Sequence, residues 1–520
     1  MKIRFCTLIF LLTSWSATYS QIENFDLDHT HSHGHSHAHP HSHGGQEEMI
    51  AFIQEFNKTK HSFVRDDDPI FVPIRFHMVA RNDGSGRVPG ASVLGQMGAL
   101  QKDFKKLGIY LYLDEDSFEY LNNTSIYETP GSFENLIKSK KDPDAVNVFV
   151  CENADVANAT GNVLGFFSVD GDYIVMRRSE VRQATASLTH EMGHFFSLPH
   201  TFFGWEGVFD FYGWSNGWNV NQFNGQYTLP TCPGNNYPVE LMDGSNCETS
   251  GDGICDTPPD YNFGFGAPQC KWNDVIRDPN GDIVDPQENN IMSYFTTCDE
   301  YVFTEGQADI MVANFNSPAR AHLKSNYVPD TTEIFSDYEL VEPAEAELLE
   351  FNQSVRLNWS DADGASQYVV SLTSQAQEFS EYYVTESELI LEELDPNSFY
   401  FWSVKPYNEG NAQSIEKESF FTTGNGINTS VKESELIQNV IVYPNPGYRG
   451  QDINVSISLE ESNDVTISLF DVTGRILSTA AQRFNKGENT YNINAVNESG
   501  IYFIKLDTKD GSIHKKIVIQ

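Results

Sequence analysis

The spacing of apolar residues divides this 520-residue chain into stretches of different character. PIFVPIRFHMVA (69–80), IYLYL (109–113) and VNVFVC (146–151) are short, apolar and rich in β-branched and aromatic residues, which predicts strands. GFFSV (165–169) and YIVMRR (173–178) read as a strand pair around the turn signal Asp170-Gly171. Residues 91–107 (ASVLGQMGALQKDFKKL) place apolar side chains at helical spacing, and a second helix is expected from about 183 to 196. From 201 to 290 periodicity fades while Gly, Asn, Asp, Trp and Tyr abound, so this stretch reads as loops. Beyond about 330 the pattern becomes alternating. SVRLNWS, QYVVSLT and FYFWSVKPY within 335–424 predict a β-sandwich. After a linker, GNGINTS (424–430), a further short-strand unit spans 437–520.

Such a chain is too long for one core and predicts several domains. Lys+Arg 33 against Asp+Glu 73 leaves a net charge of −40, a field that repels nucleic acids and anionic membranes and suits an exported protein. The first twenty residues read as a secretory leader. Lys2 and Arg4 form its basic end, Leu8 to Leu12 its apolar core, and Thr18-Tyr19-Ser20 a cleavage site before Gln21. That apolar run is too short to cross a bilayer, and no later segment is long enough, so no transmembrane segment is expected after its removal. Beyond Cys6, the cysteines are Cys151, Cys232, Cys247, Cys255, Cys270 and Cys298. In an oxidising compartment they suggest disulfides confined to one domain, with fifteen possible pairings. HTHSHGHSHAHPHSH (29–43) lacks apolar periodicity; metal capture and a solvated spacer are equally good readings of it.

The chemistry concentrates in HEMGHFFSLPH (190–200). His190 and His194 are four apart, so on a helix both imidazoles project from one face and can take two corners of a Zn²⁺ tetrahedron. His200 offers a third nitrogen and leaves the fourth position open, as a catalytic zinc requires. Glu191, beside the pair, is placed to act as general base on a water in that position. Three buried histidines satisfied by hydrogen bonds alone would be the structural alternative.

With NNIMSYF (289–295), this string resembles the metzincin signature, H-E-x-x-H-x-x-G-x-x-H followed by a Met-turn. SGDGICDTPPD (250–260) and CDEYVFTEGQADIM (298–311) are similar to stretches of the pappalysin/ulilysin family. The resemblance covers about 65–328. It implies an α+β zinc metalloendopeptidase domain acting on protein or peptide substrates, with Met292 beneath the metal and Tyr294 able to contact zinc or steady an oxyanion. It also implies Asp252 and Thr257 as candidate Ca²⁺ ligands, although turn capping explains such aspartates equally well. Cys247, Cys270 and Cys298 fall near the family's disulfide positions, with Cys270–Cys298 the preferred pair. Ser197 stands where the family has a glycine in left-handed conformation, so the turn toward His200 is the departure that matters. The pro-segment, 21–64, has no cysteine with which to mask a metal. Substrate is expected to pair, extended and antiparallel, with an edge strand near 164–169.

Residues 335–424 resemble a fibronectin type III module, with Trp359, Tyr400 and Trp402 as candidate core residues. VYPNPG (442–447), LFDVTGRIL (469–477), GIYFIKL (500–506) and KKIVIQ (515–520) resemble the C-terminal sorting domain of type IX secretion, known from Bacteroidetes. That resemblance implies the type IX machinery as a partner and delivery outside the cell or onto its surface. The expected architecture is multidomain: an α+β metzincin-like catalytic domain followed by two all-β sandwich domains. Zinc endopeptidase is the leading functional reading. A metal-binding surface or adhesion protein with an inactive peptidase-like domain is the alternative.

Overall fold

The computed structural model describes residues 43–65, 68–113, 117–154, 163–183, 185–206, 230–232, 236–264, 270–273, 275–335, 337–376, 378–427, 436–471, 475–509 and 511–520. The leader and the histidine-rich run up to residue 42 lie outside the described residues.

The N-terminal fold is built on strands β1 (Ile70–Ala80), β2 (Ile109–Tyr112), β3 (Phe118–Asn122), β4 (Val146–Cys151), β5 (Gly165–Ser168) and β6 (Tyr173–Arg177). They form one sheet in the order β2-β1-β4-β6-β5, with β3 also pairing β1. All pairings are parallel except β5 with β6, so β5 is an antiparallel edge strand. Alternation sorts the side chains. Val72, Ile74, Phe76, Met78, Val148, Val150, Ile174 and Met176 enter one buried cluster, while Phe149, Cys151, Tyr173 and Val175 enter another on the opposite face. The strand β3 escapes the sequence pattern because its residues are mostly half-exposed.

Helices cover the first face. Helix α1 (His43–Thr59) buries Met49, Ile50 and Ile53, and α2 (Gly90–Lys105) buries Val93, Leu94, Met97, Leu100 and Phe104. Each such side chain contributes roughly 1.5–3 kcal/mol of hydrophobic stabilisation. The helix expected over 183–196 is α4 (Ser187–Phe195), and a separate short helix, α3 (Arg178–Gln183), precedes it. Thr185 and Ser187 hydroxyls donate to the buried carboxylate of Glu180 and fix the corner between them. Helix α5 (Glu305–Phe315) begins in a capping box, Thr304 with Gln307. Between α4 and α5 most of the described chain is loop, carrying the disulfides Cys247–Cys255 and Cys270–Cys298. Cys151 and Cys232 are buried free thiols.

Part of the following β-module belongs to the same compact unit. Its five-stranded sheet comprises Glu347–Leu348, Gln367–Ser374, Phe379–Val384, Phe399–Tyr407 and Lys417–Thr422. Trp359, Tyr400 and Trp402 are all buried, with the two indoles 6.5 Å apart. The module docks on α2. Glu381 accepts the N–H groups of Gly90 and Ala91 at the open start of that helix, and Gln101 accepts the Ala412 N–H. At Gly98 a Cβ would lie 2.9 Å from the Ala412 carbonyl oxygen, so only glycine permits this approach.

The second unit, mostly 424–520, contains a three-stranded sheet (Ile437–Tyr443, Ile453–Leu459, Gly487–Ile493). Its four-stranded sheet comprises Asn463–Asp471, Ile476–Phe484, Gly500–Thr508 and Gly511–Ile519. Alternate residues such as Ile453, Val455, Ile457 and Leu459 fill its core. The described helices include none long and apolar enough to cross a membrane.

Candidate metal centre

Helix α4 carries His190, Glu191 and His194, all buried. His190 Nδ1 hydrogen-bonds the Ile291 carbonyl at 2.7 Å, and His194 Nδ1 the Leu198 carbonyl at 2.7 Å. Both Nδ1 atoms must therefore carry the proton, which leaves each Nε2 with its lone pair. His200 Nε2 lies 3.2 Å from His194 Nε2. One ligand atom from each histidine falls within a 4.8 Å span, the only cluster of His, Cys, Asp or Glu with metal-holding spacing among the described residues.

The turn that brings His200 back is made at Ser197. It adopts φ 68°, the left-handed conformation in which a side chain is disfavoured. The Ser197 N–H donates to the His194 carbonyl and the Leu198 N–H to Gly193, which closes the end of α4. Asn314 of α5 donates to Ser197 Oγ at 2.7 Å and fixes the serine in place.

Beneath α4 lies the turn with Met292, which is fully buried. At Gly193 a Cβ would come within 2.5 Å of Met292 Sδ, so the helix rests directly on this thioether. The Ile291 carbonyl holds His190, and the Met292 carbonyl accepts the Thr201 N–H. Asp260 Oδ2 accepts from both Thr201 and Ser293. Tyr294 directs its hydroxyl to His200 Nε2 at 3.2 Å.

Burial sets the electrostatics. Desolvation pushes His190 down to about 4, so its imidazole is neutral, as metal binding demands. The same cause pushes Glu191 up to about 8, opposed by a hydrogen bond from the Phe167 N–H of edge strand β5. Glu191 Oε2 is buried without a hydrogen-bond partner. Three converging imidazole nitrogens and an unsatisfied carboxylate oxygen are a donor set that a zinc ion and its associated water would satisfy, so the residues fit that group.

Two residues join the site that the motifs do not contain. Gln46 of α1, itself buried, places Nε2 3.1 Å from His200 Nδ1, while its Oε1 has no partner. With metal on Nε2, His200 Nδ1 would bear a proton, and the Gln46 amide turned over would present an acceptor to it. Glu206 places Oε1 3.8 Å from the same Nδ1, and burial pushes its carboxyl up to about 7. Helical spacing in MIAFIQEF (49–56) is the signal that could have revealed α1; nothing local marks Glu206.

Asp252 and Thr257, the candidate calcium ligands, are hydrogen-bonded to each other. Thr257 donates to both Asp252 oxygens at 2.9 Å, and Asp252 Oδ1 accepts the Ile254 N–H. These are turn-capping bonds. Asp278, in the DPNGDIVD loop, likewise caps the N–H groups of Asn280 and Asp282.

Residues 441–520 match the family described as Secretion system C-terminal sorting domain. The C-terminal unit is a sorting domain, and the protein is a secreted or cell-surface protein whose export engages that secretion system. No curated protein matches the chain. Among solved structures, the chain is similar to a mutant of Tannerella forsythia promirolysin, with 15% identity and a TM-score of 0.35, covering 54% of this chain and 94% of that one. It is also similar to the FN1–FN3 domains of chicken CNTN1, at 12% identity and TM-score 0.15, covering 34% and 66%. A two-domain fibronectin type III segment of chicken tenascin matches at 12% identity and TM-score 0.14, covering 36% and 99%.

Proposed function

We propose that the protein is a secreted zinc endopeptidase of the metzincin type, with His190, His194 and His200 as zinc ligands and Glu191 as general base. The observation that carries this reading is the meeting of three buried imidazoles beside a buried carboxylate with one unsatisfied oxygen. Bound zinc would supply Lewis-acid polarisation and make water a stronger acid. The protein's own residues do the rest. Ile291 and Leu198 hold the tautomers of His190 and His194 through their carbonyls. Glu191, raised toward neutrality by burial, takes a proton from water and returns it to the departing amine. The Tyr294 hydroxyl, beside His200, donates to developing negative charge on the scissile carbonyl oxygen. Strand β5, at the edge of the sheet, accepts an extended peptide.

Helix α1 belongs to the pro-segment in this reading. Gln46 stands on His200, so cleavage of substrate follows once α1 has left. The test is cleavage of an unstructured protein by secreted, processed protein. Cleavage that disappears in Glu191→Ala supports the reading, and full zinc occupancy without cleavage refutes it.

A further inference from the structure

Just beyond α5 a short 3-10 helix, Pro318–Leu323, carries Arg320, which is buried. A buried guanidinium is costly unless its donors are engaged, and here each nitrogen serves a different part of the chain. Nη2 donates to the carbonyl of Phe195, the last residue of α4, one of those that a helix end leaves without an intrahelical partner. Nη1 pairs with Asp172 Oδ1 in the turn between β5 and β6. Nε donates to Asn314 Oδ1 at 3.1 Å, and Asn314 in turn donates to Ser197 Oγ at 2.7 Å. The guanidinium carbon also lies 3.7 Å from the centroid of the Phe195 ring.

Each contact reaches the candidate site by one further step. Ser197 makes the left-handed turn between α4 and His200, a conformation that persists only where its surroundings impose it. The Phe195 ring meets that of Phe167 edge-on, with centroids 5.6 Å apart, and the Phe167 N–H is the donor that Glu191 accepts. The Asp172 N–H donates to the Ser168 carbonyl at 2.7 Å and closes the end of β5. One cation thus ties together the end of α4, the turn that returns His200 and the edge strand of the sheet.

We propose that Arg320 is a positioning residue for zinc binding and hydrolysis: it fixes the His200 turn and the β5–β6 turn relative to α4. The inference rests on the zinc peptidase reading for its consequence in catalysis, whereas the coupling of the two turns belongs to the protein without metal. Lysine cannot replace Arg320, because a single ammonium lacks the planar fork that spans three acceptors. Methionine fills similar space without stranding Asp172, which also has His322 and Lys141 at 3.7 and 3.9 Å.

The test compares secreted, processed wild type with Arg320→Lys, Arg320→Met and Asn314→Ala. Hydrogen exchange read by mass spectrometry on the metal-free proteins reports the coupling itself. In both Arg320 variants the amides of 195–198 and of 165–173 should exchange about tenfold faster or more, while those of β1 stay unchanged; Asn314→Ala should accelerate 195–198 alone. Acceleration spread evenly over the chain, or confined to one of the two segments in the Arg320 variants, overturns the proposal. Competition for zinc with a chromogenic chelator reads the consequence at His200, and affinity should fall about 10–100-fold in either Arg320 variant. Glycine holds the left-handed turn without the Asn314 bond, so Arg320→Met should cost a smaller factor in a Ser197→Gly background. An equal factor in both backgrounds, or unchanged affinity in folded Arg320 variants, also overturns it. Peptide cleavage should show kcat lowered and KM raised together, and unchanged values count against the proposal. Should Arg320→Met fail to fold, Arg320→Lys and Asn314→Ala decide on the same readouts. Wild type that binds zinc and cuts nothing refutes the peptidase reading alone, since exchange and zinc affinity still decide the role of Arg320.

Discussion

Ser197 is the position where the local sequence and the required backbone conflict, which makes it the best place to test the physical account of the site. The residue holds φ 68° and accepts a 2.7 Å hydrogen bond from Asn314, whose side chain is buried and whose Oδ1 accepts from Arg320. A non-glycine residue in this region costs about 1–2 kcal/mol. Ser197→Ala keeps that cost, loses the hydrogen bond and leaves a buried amide N–H unsatisfied, for a loss of about 1–3 kcal/mol. Ser197→Gly loses the same bond but recovers the backbone cost, offset by about 0.4–1 kcal/mol for the freer unfolded chain. The glycine variant should therefore be more stable than the alanine variant by about 0.5–1 kcal/mol and less stable than the serine protein by about 0.5–2 kcal/mol. Urea titrations of the three proteins at one pH, compared at a common slope, measure this ordering. Alanine as stable as serine, or glycine less stable than alanine, would refute the reasoning.

Other predictions concern the surroundings of the site. Glu206→Gln should weaken zinc binding about 10–100-fold in a chelator competition, because a buried carboxylate 3.8 Å from His200 Nδ1 supports the ligand; unchanged affinity rejects that role. Burial pushes Asp103 up to about 6 from 3.8, and it accepts from Thr189 on α4. The folded state then holds this proton more tightly than the unfolded chain, so stability falls as pH rises from about 4 through 6. Asp103→Asn should remove the penalty, its advantage over wild type growing by about 2 kcal/mol between pH 4 and pH 7.5; an advantage independent of pH contradicts this. Cys270–Cys298 spans 28 residues and Cys247–Cys255 spans 8, so loop entropy gives about 3.6 and about 2.5 kcal/mol. Double Cys→Ala variants compared by thermal unfolding should preserve that order, and a reversed order counts against the entropic account.

What the sequence revealed and what it hid follow physical lines. His190, Glu191 and His194 are legible because helical spacing converts sequence distance directly into spatial proximity. His200 is legible as a third nitrogen shortly after the helix, whereas Met292 and Tyr294 are readable only through a resemblance, since about ninety residues of sequence separate them from it. The alternating strands of the β-modules were visible for the same reason as the helix: periodicity maps onto burial. Gln46, Glu206 and Arg320 were not, because tertiary packing brings them to their places and no local pattern records it. The corner at 185–186 was missed because Glu180 is satisfied by hydroxyls that look, in sequence, like ordinary helix-surface residues.

The central claim is that the three histidines hold one zinc, independently of the histidine-rich segment. Metal analysis of secreted, processed protein should find one zinc per chain in wild type, retained when 29–43 is deleted. His190→Ala, His194→Ala and His200→Ala should each abolish stoichiometric binding. Zinc retained in His200→Ala, or lost on deletion of 29–43 alone, would contradict the account.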